Sequence, residues 1–386
     1  MIPSQTDSPA STEKIIPIEN SFTRKRLYSL DALRGFDMFW IMGAEDIFHG
    51  IAKVTGSPFW MAIANQFTHP EWNGFHFYDL IFPLFLFMAG VATPYSVGRE
   101  LQNGKTKGQV LRRVVRRGLI LVLLVIIYNN GLQLRPFADI RFGSVLGRIG
   151  LAYMFANIIY IYAKQRAQII WFCSLLIGYW LLLKFTSAPG FPMGDLTMEG
   201  NFASYLDRSI LPGKLYLGIH DPEGLVSTIP AIGTGLLGIL AGGYLKNATV
   251  SGQVKSLRLA IVGIILIGLA WIWNLDFPVN KNLWTSSFVL NVGGISLVLL
   301  ALFYYIIDVL GYVRWSFFFR IIGMNSILIY MSHRFIDWDY STNGFFKWLG
   351  QLIGNPWNVV VMAICFVMVE WAFLYFMYRK KVFLRV

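Results

Sequence analysis

Apolar runs of membrane-crossing length recur along almost the whole chain, and they leave little freedom in the choice of fold. A helix needs about 20 apolar residues to cross a hydrocarbon layer roughly 30 Å thick. Ten segments have that character: 29–51, 76–98, 111–130, 145–163, 168–186, 225–245, 257–275, 287–308, 317–335 and 357–378. Lipid offers the backbone no hydrogen-bond partners, so each run is expected to be helical. The expected class is therefore all-α, a polytopic membrane protein of about ten transmembrane helices. Composition agrees. Only 14% of residues are charged, against about 25% in a soluble protein. The 13 Trp and 31 Phe suit aromatic belts at the membrane surfaces.

Lysine and arginine set the orientation. One series of loops and ends holds Lys14, Arg24, Lys25 and Arg26, then Arg99, Lys105, Lys107, Arg112, Arg113, Arg116 and Arg117. It continues with Lys164 and Arg166; Lys246, Lys255 and Arg258; Arg314 and Arg320; and Arg379, Lys380, Lys381 and Arg385. The alternate loops are poorer for their length. They hold Lys53; Arg135 and Arg141; Lys184, Arg208 and Lys214; Lys281; and Arg334 and Lys347. By the positive-inside rule both termini are expected in the cytoplasm. The formal charge of +12 is thereby explained without nucleic acid. Residues 1–27 are polar, lack the basic-then-apolar order of a signal peptide and read as a disordered cytoplasmic tail. Residues 28–386 form the membrane domain. Cys173 and Cys365 lie far apart in apolar runs, which fits neither a disulfide framework nor a zinc site.

This topology gathers the polar, motif-like segments on the outer face, with all five histidines in or beside it. Ionisable groups inside apolar runs are costly and point to function. The first span holds Asp31, Arg34, Asp37, Glu45 and Asp46. Asp31 and Arg34 stand on one helical face, either as a packing ion pair or as part of a site. Glu45 and Asp46, nearer the outer surface, are better placed to meet an external substrate. Asp79 and Arg148 enter their helices from the same side and line either a polar cavity or a structural network. His69 lies in the loop with Trp72 and Asn73; an imidazole is the usual general base, although a loop histidine is commonly just solvated. Asp221 and Glu223 precede a helix, where its dipole favours acids. Lys281, Asn282 and Trp284 precede another, with Trp284 read as an interfacial anchor. Asn325 and Ser326 lie inside the ninth span, where small and amide residues suit close packing. Gly233, Gly235 and Gly238 lie in an apolar run and mark a packing face rather than a phosphate cradle. No metal-ligand spacing appears.

Taken together these motifs resemble the heparan-α-glucosaminide N-acetyltransferase family, as a compact bacterial-type member. The resemblance rests on Ser29-Leu-Asp-Ala-Leu-Arg-Gly35, on His69-Pro-Glu-Trp-Asn-Gly74 followed by Asp79-Leu-Ile-Phe-Pro83, and on Leu146-Gly-Arg-Ile-Gly150. Asp221-Pro-Glu-Gly224, Pro278-Val-Asn-Lys-Asn-Leu-Trp284 and Gly323-Met-Asn-Ser-Ile-Leu328 complete it, in one order across the membrane region. It implies an acetyltransferase that takes acetyl-CoA from the cytoplasm and acetylates an amino sugar on the far side of a bacterial inner membrane. It also implies a homodimer. The family's histidine carries over to His69 as catalytic base. Its asparagine near the outer end of helix one falls at Glu45, where this chain has an acid instead. Glu45 or Asp46 would then hold the imidazole or accept the substrate ammonium. Lys281, Asn282 or Asn325 would donate to the oxyanion. Arg34, Asp79, Arg148, Trp72, Asn73, Asp221, Glu223, Trp284 and Ser326 would line the substrate and acetyl-CoA sites. Two other functions share this architecture: a secondary transporter of a sugar, and an O-acyltransferase of envelope polysaccharide.

Overall fold

The computed structural model describes residues 27–130 and 136–384. The polar segment expected to be a disordered tail lies outside them up to residue 26, as does Arg135. All regular elements among the described residues are helical. The chain begins with α1 (Tyr28–Phe39), a π-turn over Trp40–Ala44, α2 (Glu45–Thr55) and α3 (Pro58–Asn65). Then come α4 (Ile81–Gln102), α5 (Lys107–Asn130), α6 (Val145–Tyr162) and α7 (Gln165–Phe185). The long loop after α7 carries α8 (Phe202–Ile210) and leads to α9 (Thr228–Lys246), α10 (Gly252–Trp273) and α11 (Ser286–Phe303). The last four are α12 (Phe317–Met324), α13 (Ser326–Ser332), α14 (Trp338–Ile353) and α15 (Asn358–Arg379).

Seven helices among the described residues are long and apolar enough to cross a membrane: Phe77–Gln102, α6, α7, α9, α10, Ser286–Val309 and α15. The other three expected spans depart for identifiable reasons. The first is a rod broken by the π-turn, where Gly43 takes φ 89°. α5 has the length, but its first turns hold Lys107, Arg112, Arg113, Arg116 and Arg117. The ninth breaks at Asn325, whose amide turns away from the helix to donate to the Val382 carbonyl (3.0 Å) and accept from Leu384 N (3.1 Å). α14 has no counterpart in the hydropathy pattern; Asp337 starts it by accepting from Tyr340 N (2.8 Å).

Small residues decide how the long helices meet. α4 packs along α9, α10 along α11, α1 along α12 and α5 along α6. At the α4–α9 contact, a methyl added to Gly238 would lie 2.0 Å from the Phe87 carbonyl oxygen, and one on Gly90 would lie 2.2 Å from that of Gly235. Backbones this close let dispersion act where lipid removes the hydrophobic drive between helices. The packing face read from the glycine spacing is therefore real.

The two ends of the bundle differ. Lys246 donates to the Pro94 carbonyl (3.0 Å), and Lys107 lies over the Tyr162 ring (5.4 Å). The basic junctions after α4, α6 and α9 thus share one end. At the opposite end of α4, the 66–80 loop meets the 187–224 and 274–285 loops through Trp72 and Gly74.

Gly238→Ala should lower stability by about 1–3 kcal/mol, the usual cost of overpacking. Gly243→Ala, where a methyl meets nothing within 4 Å, should be nearly neutral; thermal unfolding of the two purified variants compares them.

Candidate active site

The chain between α3 and α4 folds back so that His69 meets Asp79. His76 N donates to Asp79 Oδ2 (3.0 Å), which closes the turn leading into the helix. The other oxygen, Oδ1, lies 2.6 Å from His69 Nδ1. Asp79 is fully buried while the His69 side chain is about half exposed. A contact this short to a buried carboxylate places the hydrogen on Nδ1 and leaves Nε2 as an acceptor.

Lys281 completes the group. Its Nζ stands 3.1 Å from His69 Nε2 and 3.5 Å from Asp79 Oδ1. It is presented by a loop clamped from several directions. Asn280 donates to Asn73 Oδ1 (3.0 Å) and accepts from Leu283 N (2.8 Å), while Gly74 N donates to the Val279 carbonyl (2.8 Å). Burial lowers the Lys281 pKa from its ordinary value, against the opposing pull of Asp79 and Glu223.

Trp284 anchors this loop from below. It takes φ 52° and turns into the core, packing on Phe82 (4.8 Å), Phe288 (5.3 Å) and the Arg148 guanidinium (4.9 Å). It is 1% exposed, which corrects the expected interfacial anchor. The loop backbone overrides the usual preference of tryptophan for the membrane surface.

His69 and Lys281 open onto a cavity of about 130 Å³. Tyr78 shares its mouth, Met38 of α1, Ile41 of the π-turn and Phe85 of α4 form apolar walls, and Ser326, Ile327 and Tyr330 of α13 close it. Tyr330 stacks on Tyr128 at 4.8 Å.

A second network braces the long loop. Arg141 donates Nε to Asp221 Oδ2 (3.1 Å) and Nη2 to Asp221 Oδ1 (3.0 Å) and Glu223 Oε2 (2.6 Å). Burial alone would raise the Asp221 pKa, but the Arg141 hydrogen bonds and charge hold it below the ordinary value. Arg148, 2% exposed, donates to the Gly224 carbonyl (3.3 Å) and to Ser227. Asp207 accepts from Leu225 N (2.9 Å), and burial pushes its pKa up to about 6. His220, under Trp72 (5.3 Å) and 2.7 Å from Ser204 Oγ, is pushed by burial down to about 4.

Several expected roles move. Asp79, not Glu45 or Asp46, holds the imidazole. Glu45 accepts from Tyr78 OH (3.0 Å), and Asp46 lines a separate cleft with His49 and Lys53. Asp221 and Glu223 pair with Arg141 instead of capping a helix, because Ser227 occupies that position. Asn325 is tied to the chain after α15, away from the oxyanion position. Arg34 reaches the Met88 carbonyl (3.5 Å), about 16 Å along the helix from Glu45 at a rise of about 1.5 Å per residue. Trp72 donates to the Leu196 carbonyl (2.8 Å), and the Asn282 backbone meets His220. Ser326 lines the cavity as expected. Tyr78, Asn280 and Arg141 were missed as site residues; Arg141 had counted only as a loop charge, and its acids lie 80 and 82 residues further on.

No family model matches the chain. Human heparan-alpha-glucosaminide N-acetyltransferase is 28% identical over 427 aligned positions, covering 94% of this chain. The mouse protein of the same name is 28% identical over 414 positions, covering 88%. The chain spans about 60% of the length of these curated relatives.

An acid whose folded pKa is raised opposes folding once ionised, so its penalty grows between the unfolded and folded values. For Asp207 that window runs from 3.8 to about 6. Raising the pH from 4 to 7 should therefore cost the native chain about 2–3 kcal/mol more than Asp207→Asn, since one unit is worth about 1.4 kcal/mol. The difference between their thermal unfolding curves measures this.

Proposed function

We propose that the chain, 28% identical to the human and mouse heparan-alpha-glucosaminide N-acetyltransferases along about nine tenths of its length, is a member of their family and moves an acetyl group from acetyl-CoA to the amino group of a glucosamine-type sugar. The observation that carries this reading is the buried Asp79 behind His69, with Nε2 turned toward Lys281 at the mouth of a cavity. A sugar amine is mostly protonated near neutral pH, and amide formation requires it free. His69 Nε2 accepts the proton, with Asp79 fixing the tautomer and stabilising the imidazolium. The amine nitrogen then bonds to the thioester carbonyl carbon, the carbon–sulfur bond breaks, and the CoA sulfur leaves and takes up a proton. Lys281 lies within reach of the position where the carbonyl oxygen becomes negative, and an ammonium in a partly desolvated site stabilises that charge strongly.

The same geometry, with the distribution of basic residues, supports a sidedness for the reaction. His69 lies at one end of α4, and the basic junction between α4 and α5 at the other. The positive-inside rule favours the cytoplasm for that junction; in this reading acetyl-CoA enters there and the sugar meets His69 from outside. Of the four arginines in α5, Arg113 is already paired with Glu100 and Arg117 lies over Tyr153 (4.8 Å). Arg112 and Arg116 are left facing outward for CoA phosphates.

Mass spectrometry of products from glucosamine and acetyl-CoA tests the reaction. His69→Ala should abolish the N-acetyl sugar while folding is kept. Asp79→Asn should lower kcat about 10²–10⁴-fold, since the imidazole loses its orienting charge. A His69→Ala protein of undiminished turnover would remove the proposed base.

The Lys281 ammonium has a depressed pKa, so its charge is lost as pH rises through a value below the ordinary lysine 10.5. The alkaline limb of kcat/KM should fall in that region. Lys281→Arg, always protonated, should carry the limb to higher pH; an unmoved limb would exclude Lys281 as the titrating group.

A further inference from the structure

A second cleft, of about 420 Å³, opens at the His69 end of the bundle between α2, α14 and α15. Asp46, His49 and Lys53 come from α2, while Asp339, Thr342 and Asn343 come from α14. It lies across helix one from the acetyl-transfer site: Glu45 bonds Tyr78 on one side, and Asp46 faces this cleft on the other. Thr342 is 3% exposed, yet among the described residues its hydroxyl has no hydrogen-bond partner. A buried hydroxyl left unpaired on a cleft wall is costly and marks a position where a ligand donor is wanted.

The walls also show what lies in front of the cleft. Phe345 (68%), Trp348 (61%) and Leu352 (76%) form an exposed apolar stripe on α14, turned away from the face that carries Asp339 and Thr342. Met368 (55%) is a further exposed apolar side chain on α15, while Val359 (44%) lines the cleft itself. Exposed apolar side chains of this density on a membrane-crossing bundle meet lipid. The cleft therefore opens beside the bilayer surface, and its charges are mixed: two carboxylates, one lysine and one imidazole.

We propose that this cleft binds the headgroup of a zwitterionic membrane lipid carrying a primary ammonium, of the phosphoethanolamine type. The ammonium has three N–H donors. The carboxylates of Asp46 and Asp339 and the Thr342 hydroxyl offer three acceptors. His49 and Lys53, one and two turns along α2 from Asp46, meet the phosphate. A choline headgroup has the same charge but no N–H, so it leaves Thr342 unpaired. The proposal does not depend on acetyl transfer.

The test uses the full chain reconstituted in phosphatidylcholine bilayers containing an equal share of phosphatidylethanolamine, with retained lipids read by native mass spectrometry. The expected result is about tenfold preferential retention of the ethanolamine lipid, the worth of a charged hydrogen bond. The double variant Asp46→Asn, Asp339→Asn should lose the preference. Thr342→Val should reduce it without lowering Tm, because it removes an unpaired buried hydroxyl. Equal retention of the two lipids by the native chain overturns the proposal, as does a preference that survives the double variant. Binding of soluble phosphoethanolamine with no lipid retained would overturn the membrane source.

Discussion

The Asp79 carboxylate is buried completely, and the candidate site is arranged around the need to satisfy it. A lone carboxylate in such surroundings would be expelled or neutralised. Here the His76 N–H, the His69 ring and the Lys281 ammonium converge on it. Each comes from a different part of the loop structure, so the charge acts as a staple between the 66–80 segment and the 274–285 loop. The same staple that holds the loops also orients the imidazole. Fold and chemistry cannot be separated at this point: a loop that drifted from Asp79 would carry the base or the ammonium with it.

Around this staple the polar loops form one continuous brace. Trp72 reaches Leu196 and meets the His220 ring edge to face, while Arg141 gathers Asp221 and Glu223. Arg148 lies below, between Trp284 and the start of α9. Breaking a buried charged network is far more costly than forming it is favourable. The brace therefore resists partial opening and keeps the site geometry rigid on the side that faces solvent. The apolar walls of the cavity come instead from α1, α4, α6 and α13, whose positions are set by helix packing.

Much of the helical framework was legible, because hydropathy over about 20 residues is a local property. The breaks were not. Asn325 interrupts a helix in favour of partners at Val382 and Leu384, and Gly43 permits a π-turn that no hydropathy window registers. His69 stood out through the resemblance of its motif, not through its surroundings. Asp79 was noticed as a buried acid, but its partner was assigned elsewhere, because a contact made by a loop doubling back on itself leaves no periodic trace. Trp284 was misplaced for a related reason: its positive φ sends the side chain inward, against the statistical preference of its residue type.

Glu45 shows how a departure from a family pattern is absorbed. A carboxylate at the start of α2 needs a donor, and Tyr78 OH supplies one at 3.0 Å. Tyr78 is adjacent to Asp79 in the chain, and its ring lies 5.2 Å from that of His69. Tyr78 lines the cavity together with His69 and Lys281, and its hydrogen bond holds Glu45 behind it. Under the proposed reaction the amine would have to reach the imidazole and the acyl oxygen the lysine, and both of those groups line this one cavity.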